Sequence, residues 1–183
     1  RRSTSLGRSA RLAALSDDDV VLHIVLVEPE IPPNTGTVGR LALATGARLH
    51  LVRPLGFDID DKAVRRAGLD YWKNVDLRVH DNWEACQQDI GAPGERIFML
   101  STHAERIYTS VAYRRGDVLV FGRETKGLGQ TMVLGAAERA IRVPFFGAVR
   151  SLNLSTTVGI VVYEALRQIR PKDFPAADEM EQL

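Results

Sequence analysis

One cysteine, Cys86, occurs in 183 residues, so no intrachain disulfide can form and a hydrophobic core must hold the fold. That thiol lies in the amphipathic stretch WEACQQDI, where a small buried side chain is the expected role. Aromatic residues make up only 7% of the chain, and no apolar run approaches the ~20 residues of a membrane span. Neither sign of charge is in excess, with 24 Lys plus Arg against 23 Asp plus Glu. A wholly cationic body of the kind that coats nucleic acid is therefore excluded. The four histidines, His23, His50, His80 and His103, are scattered without ligand spacing, so no metal site is expected.

What is present is 45% apolar and 26% charged residues, the make-up of an ordinary globular protein. The length suits one domain with a sizeable core. Basic residues are grouped, as in Lys62, Arg65 and Arg66, in Arg139 and Arg142, and in Arg167, Arg170 and Lys172. Such groups read equally as solvated faces or as local patches for RNA. Residues 1–19 are the compositional outlier, with four arginines, four serines and no acid before Asp17. A transit peptide has this composition, and so does many an added extension, so a disordered tail is expected there.

From Val20 onward, apolar runs alternate with helical patterns. Strands are expected at 20–27, 48–53, 76–79, 96–101, 117–122 and 140–145. Runs as continuous as VLVF suit strands covered on both faces of a parallel sheet. Helices are expected at 35–45, 61–67, 82–90 and 129–138, with Gly46 ending the first and Asp60 or Asp61 capping the second. This alternation reads as one α/β domain over 20–172, with a mainly parallel sheet and a C-terminal tail at 173–183. The last helix, 153–169, carries apolar residues on more than one stripe, from Val158 to Tyr163 and Ile169. Its second stripe suits deep core or a contact with a second subunit.

Three polar clusters interrupt at expected strand ends, where open α/β sheets bind ligands. The first, EPEIPPNTGTVGR, has prolines that stiffen a loop, Asn34 placed to cap the next helix, and Arg40 six residues on. The second is FGRETKG, with Glu124. It is no phosphate loop, because Gly127 is followed by Leu128 where Lys would be needed, and Met132 stands at the third glycine of GxGxxG. The third, VPFFGAVRSLNLS, leads to Ser151 and Asn153 at the mouth of the last helix, and either can cap it.

With these residues in view, NTGTVGR, FGRETKG and RSLNLS resemble the three motifs of the SPOUT class of RNA ribose methyltransferases. Those motifs are N-x-G-x-x-x-R, F-G-x-E-x-x-G and a C-terminal Ser-x-Asn. The strings EPEIPPNTG, DDKAVRRAGLDYW and VVYEALRQ are more specific, and are similar to the class members that methylate the wobble ribose of bacterial tRNA. The resemblance runs from about residue 20 to 170, and Arg123 departs from the proline found in many relatives. It implies a SPOUT fold with a deep C-terminal trefoil knot, S-adenosylmethionine as cofactor with S-adenosylhomocysteine as product, tRNA as substrate, a homodimer and a cytoplasmic setting. By motif position, Leu100, Gly122 and Val143 would close the cofactor pocket, completed by Ser151 and Leu152. Gly122 would leave room for the adenosyl group to approach closely.

The resemblance also assigns catalytic roles. Arg40 occupies the place of the family's proposed general base. A guanidinium stays protonated, so it would rather bind a phosphate and stabilise a developing alkoxide. Asn34, Glu124, Ser151 and Asn153 would orient Arg40, the loops and the ribose, with Glu124 holding the guanidinium. The expected activity is methyl transfer to the 2′-OH of C34 or modified U34. Methylation at another tRNA or ribosomal RNA position, or a noncatalytic RNA-binding module, are the alternatives.

Overall fold

The computed structural model describes residues 20–59 and 69–175. The tail expected at 1–19, the helix expected at 61–67 with its caps and basic residues, and residues 176–183 lie outside them. The described strands are β1 (His23–Val27), β2 (Arg48–Val52), β3 (Leu77–His80), β4 (Ile97–Leu100), β5 (Arg106–Ile107), β6 (Val118–Phe121) and β7 (Ala140–Arg142). They form one seven-stranded sheet in the order β3-β2-β1-β6-β4-β7-β5. Every pairing between these strands is parallel.

Both faces of the sheet are covered, which is why its central strands are apolar throughout. Helices α1 (Pro32–Thr45) and α4 (Leu154–Ile169) lie on one face. There Val38, Ala42, Val158, Val161 and Ala165 pack against alternate strand residues such as Ile24, Leu26, Leu49 and Phe121. Helices α2 (Trp83–Ile90) and α3 (Gln130–Leu134) lie on the other. Cys86, Leu128 and Met132 pack there with Val25, Val52, Met99 and Val120. Burying one such Leu or Ile is worth roughly 1.5–3 kcal/mol, so a polar substitution in β1 or β6 would break the core.

Several details depart from the expectation. Helix α1 begins at Pro32, so Pro32 and Pro33 are its first turn rather than a stiff loop. A proline's missing N–H costs nothing there and its φ already fits the helix. Ile31 is therefore the N-cap and Asn34, expected as a cap, lies inside the first turn. Gly46 ends the helix as expected, at φ +74° with its N–H bonded to Ala42. The helix expected at 129–138 stops at Leu134 and resumes as a tight turn at Ala137–Arg139. β5 was not expected, since two exposed residues carry no periodic signal. In α4, Val158, Val161, Val162, Ala165 and Leu166 are buried, whereas Tyr163 on the second stripe is 50% exposed.

The face of β1, β2 and β3 beneath α2 carries polar groups inside the strands. Arg48, 2% exposed, donates from Nε to Asp76 at 2.8 Å. His23, His50 and His80 form a row across the three strands, with ring nitrogens 3.0 and 2.9 Å apart. Histidines that are scattered in sequence are thus neighbours, because parallel strands align residues about thirty positions apart. Cys86 is buried as expected, and burial pushes its thiol up to about 12.

Candidate active site

Strands β6, β4 and β7 are adjacent, so the loops leaving their carboxyl ends surround one space. It is a cavity of about 1080 Å³. Leu100 ends β4, Gly122 follows β6 and Val143 follows β7, and all three line this cavity. Ser151 and Leu152, on the approach to α4, line it as well. The five residues expected around the cofactor therefore meet in one place.

The reason for glycine at 122 differs from the expected one. A Cβ there would lie 2.1 Å from backbone atoms of Gly127 and Leu128. The 123–127 loop doubles back with paired backbone bonds between Arg123 and Gly127, and Gly127 sits at φ +64°. The room beside Gly122 is thus filled by its own loop, not kept open for a ligand.

Glu124 joins the three clusters. Its Oε2 accepts the Glu30 N–H at 2.8 Å, and its Oε1 accepts the Ile31 N–H at 3.2 Å and an Asn34 Nδ2–H at 3.0 Å. Ile31 has no side-chain oxygen to cap α1, so a carboxylate more than ninety residues away takes these orphan donors. The exchange is reciprocal, because Glu30 accepts the Thr125 N–H at 3.0 Å and the Thr125 hydroxyl at 2.8 Å. The Thr125 bonds hold the Glu30 carboxyl below the usual carboxylate range. Glu28 joins in at φ +52°, a left-handed conformation that disfavours any residue with a Cβ, and pairs with Arg123 at 2.8 Å.

Asn34 continues the network, for its Oδ1 accepts from Asn153 Nδ2 at 3.0 Å. Asn153 in turn caps α4, its Oδ1 accepting the Thr156 N–H at 3.3 Å and the Ser155 hydroxyl at 2.7 Å. Side chains from all three clusters are thereby linked through Glu124, Asn34 and Asn153. Ser151 is exposed on the cavity wall and does not cap the helix.

Arg40 stands apart. It is exposed, its guanidinium lies 4.7 Å above the Tyr71 ring, and it is not among the residues lining the cavity. Within one chain Glu124 therefore does not hold Arg40. Six residues along a helix turn a side chain by about 120° relative to Asn34 and carry it roughly 9 Å further on. Glu30 and Thr125 were missed by sequence reasoning. The second acid of EPE, at a strand end, was the one available signal.

Comparison with known proteins agrees with this geometry. The model of the SpoU rRNA methylase family matches residues 21–163. A tRNA (cytidine(34)-2′-O)-methyltransferase from Methylovorus glucosotrophus is 47% identical over 149 residues, covering 81% of this chain and 96% of that protein. A solved structure concerned with 2′-OH methylation of C/U34 on tRNA is 45% identical, with TM-score 0.75, over 80% of this chain and 95% of the other. An AdoMet-bound rRNA methyltransferase from Sinorhizobium meliloti is 26% identical with TM-score 0.72, over 82% of this chain and 59% of the other. The chain belongs to the SpoU rRNA methylase family.

Proposed function

We propose that this chain transfers the methyl group of S-adenosylmethionine to the ribose 2′-hydroxyl of tRNA nucleotide 34, a cytidine or a modified uridine. The observation that carries this reading is the match to a cytidine-34 methyltransferase over 96% of that protein's length. It is supported by the convergence of the three motif clusters on one cavity.

The residues present fit an adenosyl cofactor. Leu100, Val143 and Leu152 offer apolar walls, and the chain at Gly122 and Ser151 offers backbone donors and acceptors where strands have ended. When bound, the cofactor supplies a methyl group activated on sulfonium. The protein's part is to hold and orient. Glu124 has both oxygens engaged by N–H donors, so it acts as a positioning residue and not as a base. Asn34 and Asn153 fix the mouth of α4 against α1, and Ser151 presents an exposed hydroxyl on the wall. Arg40 would bind the phosphate beside the target ribose and stabilise the forming alkoxide, while the proton leaves to phosphate or water.

That role requires Arg40 to reach a cavity that its own chain keeps from it. A homodimer reconciles the two, with Arg40 of one copy facing the cavity of the other. The half-exposed Tyr163, stacked edge-on with Phe174, supplies apolar surface for such a contact. We further assign the enzyme to the cytoplasm, where tRNA is found, and the implied trefoil knot to the segment from β6 to α4. Among the described residues no helix is long and apolar enough to cross a membrane.

The test is to incubate the full chain with labelled S-adenosylmethionine and bulk tRNA and map the methylated nucleotide. Label on the 2′-oxygen of nucleotide 34 is expected. Label at another position, or RNA binding without transfer, would replace this reading with one of its alternatives.

A further inference from the structure

We propose that His50, His80 and Cys86 form a binding site for a thiolate-seeking divalent transition metal, with Zn²⁺ as the best match, between the sheet and α2. Their ligand atoms lie within 4.8 Å of one another, and all three side chains are buried. Around a tetrahedral ion with Zn–N and Zn–S bonds of ~2.0–2.3 Å, ligand atoms stand roughly 3.3–3.8 Å apart. The imidazoles, 2.9 Å apart, need to open by a few tenths of an ångström, and the thiol to close in by about one.

The surroundings orient the ligands. His23 Nδ1 lies 3.0 Å from His50 Nε2. If that contact takes the His50 Nε2 proton, the His50 Nδ1 lone pair is turned toward His80. This is the outer-shell hydrogen bond that metal-ligating imidazoles ordinarily make. Without metal, a neutral His80 can donate its Nε2–H to that lone pair at 2.9 Å; in the metal-bound form the ion replaces this proton and His80 takes its other tautomer. Asp89 lies three residues after Cys86 on α2, with its Oδ2 4.0 Å from His80 Nε2, and is the nearest carboxylate for a fourth position. Arg78 holds that same oxygen at 2.8 Å, and the half-exposed edge of Asp89 gives a route in from solvent.

The ligand set also selects the ion. Two imidazoles and one sulfur are a nitrogen and sulfur donor set, which suits a metal with strong thiolate affinity. Mg²⁺ and Ca²⁺, which take oxygen ligands, are thereby excluded. Arg78 and Arg48 oppose a cation on this face, while Asp76 and Asp89 favour it. The site lies at the β2–β3 edge, on the far side of β1 from β6 and the cavity. An ion there would pin α2 to the edge strand β3 and its neighbour β2 and take no part in methyl transfer.

The experiment treats the full chain with chelator, then titrates it with Co²⁺ followed by Zn²⁺. One Co²⁺ per chain, a near-ultraviolet sulfur-to-cobalt charge-transfer band, and displacement of that band by Zn²⁺ are expected, together with a Zn²⁺-dependent rise in Tm. Cys86→Ala keeps a small apolar side chain in the core. It should abolish the band and weaken Zn²⁺ uptake at least ~10-fold, the scale of a disturbed metal site. Should that variant fail to fold, the band in the unaltered chain decides. Substoichiometric uptake, uptake without the band, or undiminished uptake by Cys86→Ala would overturn the site and leave the imidazoles as an ordinary hydrogen-bonded row.

Discussion

On the β2–β3 side of β1, polar side chains lie inside the strands and satisfy one another: Arg48 holds Asp76, and His50 bridges His23 and His80. On the β6–β4–β7 side, β4 and β6 are apolar throughout; an Arg96–Asp117 pair with a buried carboxylate lies at their amino ends and polar loops follow their carboxyl ends. Burial makes the first kind of polar group costly to leave unpaired, so each is locked to a neighbour. Loop groups at strand ends keep access to solvent and are free to meet a ligand. The same sheet therefore uses polarity for architecture within β1 to β3 and for chemistry in the loops beyond the carboxyl ends of β4, β6 and β7.

The sharpest way to break this contrast is to attack the buried pair. Arg48→Met leaves the Asp76 carboxylate without its guanidinium. Asp76 retains some access to water, at 19% exposed, so the loss should fall near the lower end of the usual range, about 3 kcal/mol. Urea denaturation reads the loss. S-adenosylhomocysteine affinity of the folded fraction should be unchanged, and a parallel loss of affinity would mean that the two sides are not separable.

Next in size is Arg40→Lys, which tests chemistry against RNA anchoring. An ammonium lacks the planar fork of a guanidinium, so a transition-state role cannot be rescued by saturating tRNA. Single-turnover methylation at saturating tRNA should fall by at least ~100-fold, the scale of a lost transition-state contact. Recovery to near the unaltered rate would reduce Arg40 to an RNA-binding residue. Mixing Arg40→Ala with Glu124→Gln chains sharpens the point. If Arg40 serves the other copy's cavity, mixed dimers regain activity that neither parent has.

Gly122→Ala comes third. Its new methyl group meets the Gly127 and Leu128 backbone at 2.1 Å, so the 123–127 loop must shift. Overpacking of this kind costs about 1–3 kcal/mol. Both Tm and S-adenosylhomocysteine affinity by calorimetry should fall. Loss of affinity with an unchanged Tm would restore the idea that Gly122 is small for the ligand's sake.

How much of this was legible follows from the range of each interaction. The six longer strands and three of the helices announce themselves through local periodicity, and Gly46 through its place after an apolar helix. The cavity residues Leu100, Gly122 and Val143 were legible through the family resemblance, by motif position, and the adjacency of β6, β4 and β7 is why they meet. Within one chain Glu124 binds the N–H groups of Glu30 and Ile31 and the Asn34 amide rather than Arg40, and backbone donors leave no mark in a sequence. The histidine row was missed because 27 and 30 residues separate its members, and only strand order makes them neighbours. Arg40's distance from the cavity was missed because the family motif records spacing along α1, not the direction in which the side chain leaves it.

The smallest expected effect compares two asparagines that do the same local job. Asn82 caps α2 by accepting the Ala85 N–H at 2.8 Å, and Asn153 caps α4 by accepting the Thr156 N–H at 3.3 Å. Loss of an N-cap costs about 1 kcal/mol, so Asn82→Ala and Asn153→Ala should lower stability by similar amounts. Their effects on catalysis should differ. Among the described residues the Asn82 side chain bonds within its own helix, whereas the Asn153 amide also donates to Asn34 and so ties α4 to the Glu124 network. Asn153→Ala should therefore reduce kcat several-fold at saturating substrates, while Asn82→Ala leaves it unchanged. Asn153→Asp separates the two roles, because a carboxylate still accepts the Thr156 N–H but cannot donate to Asn34. It should retain the stability of the cap and lose the rate. A variant that kept both would show that the link from Asn34 to Asn153 is incidental to the chemistry.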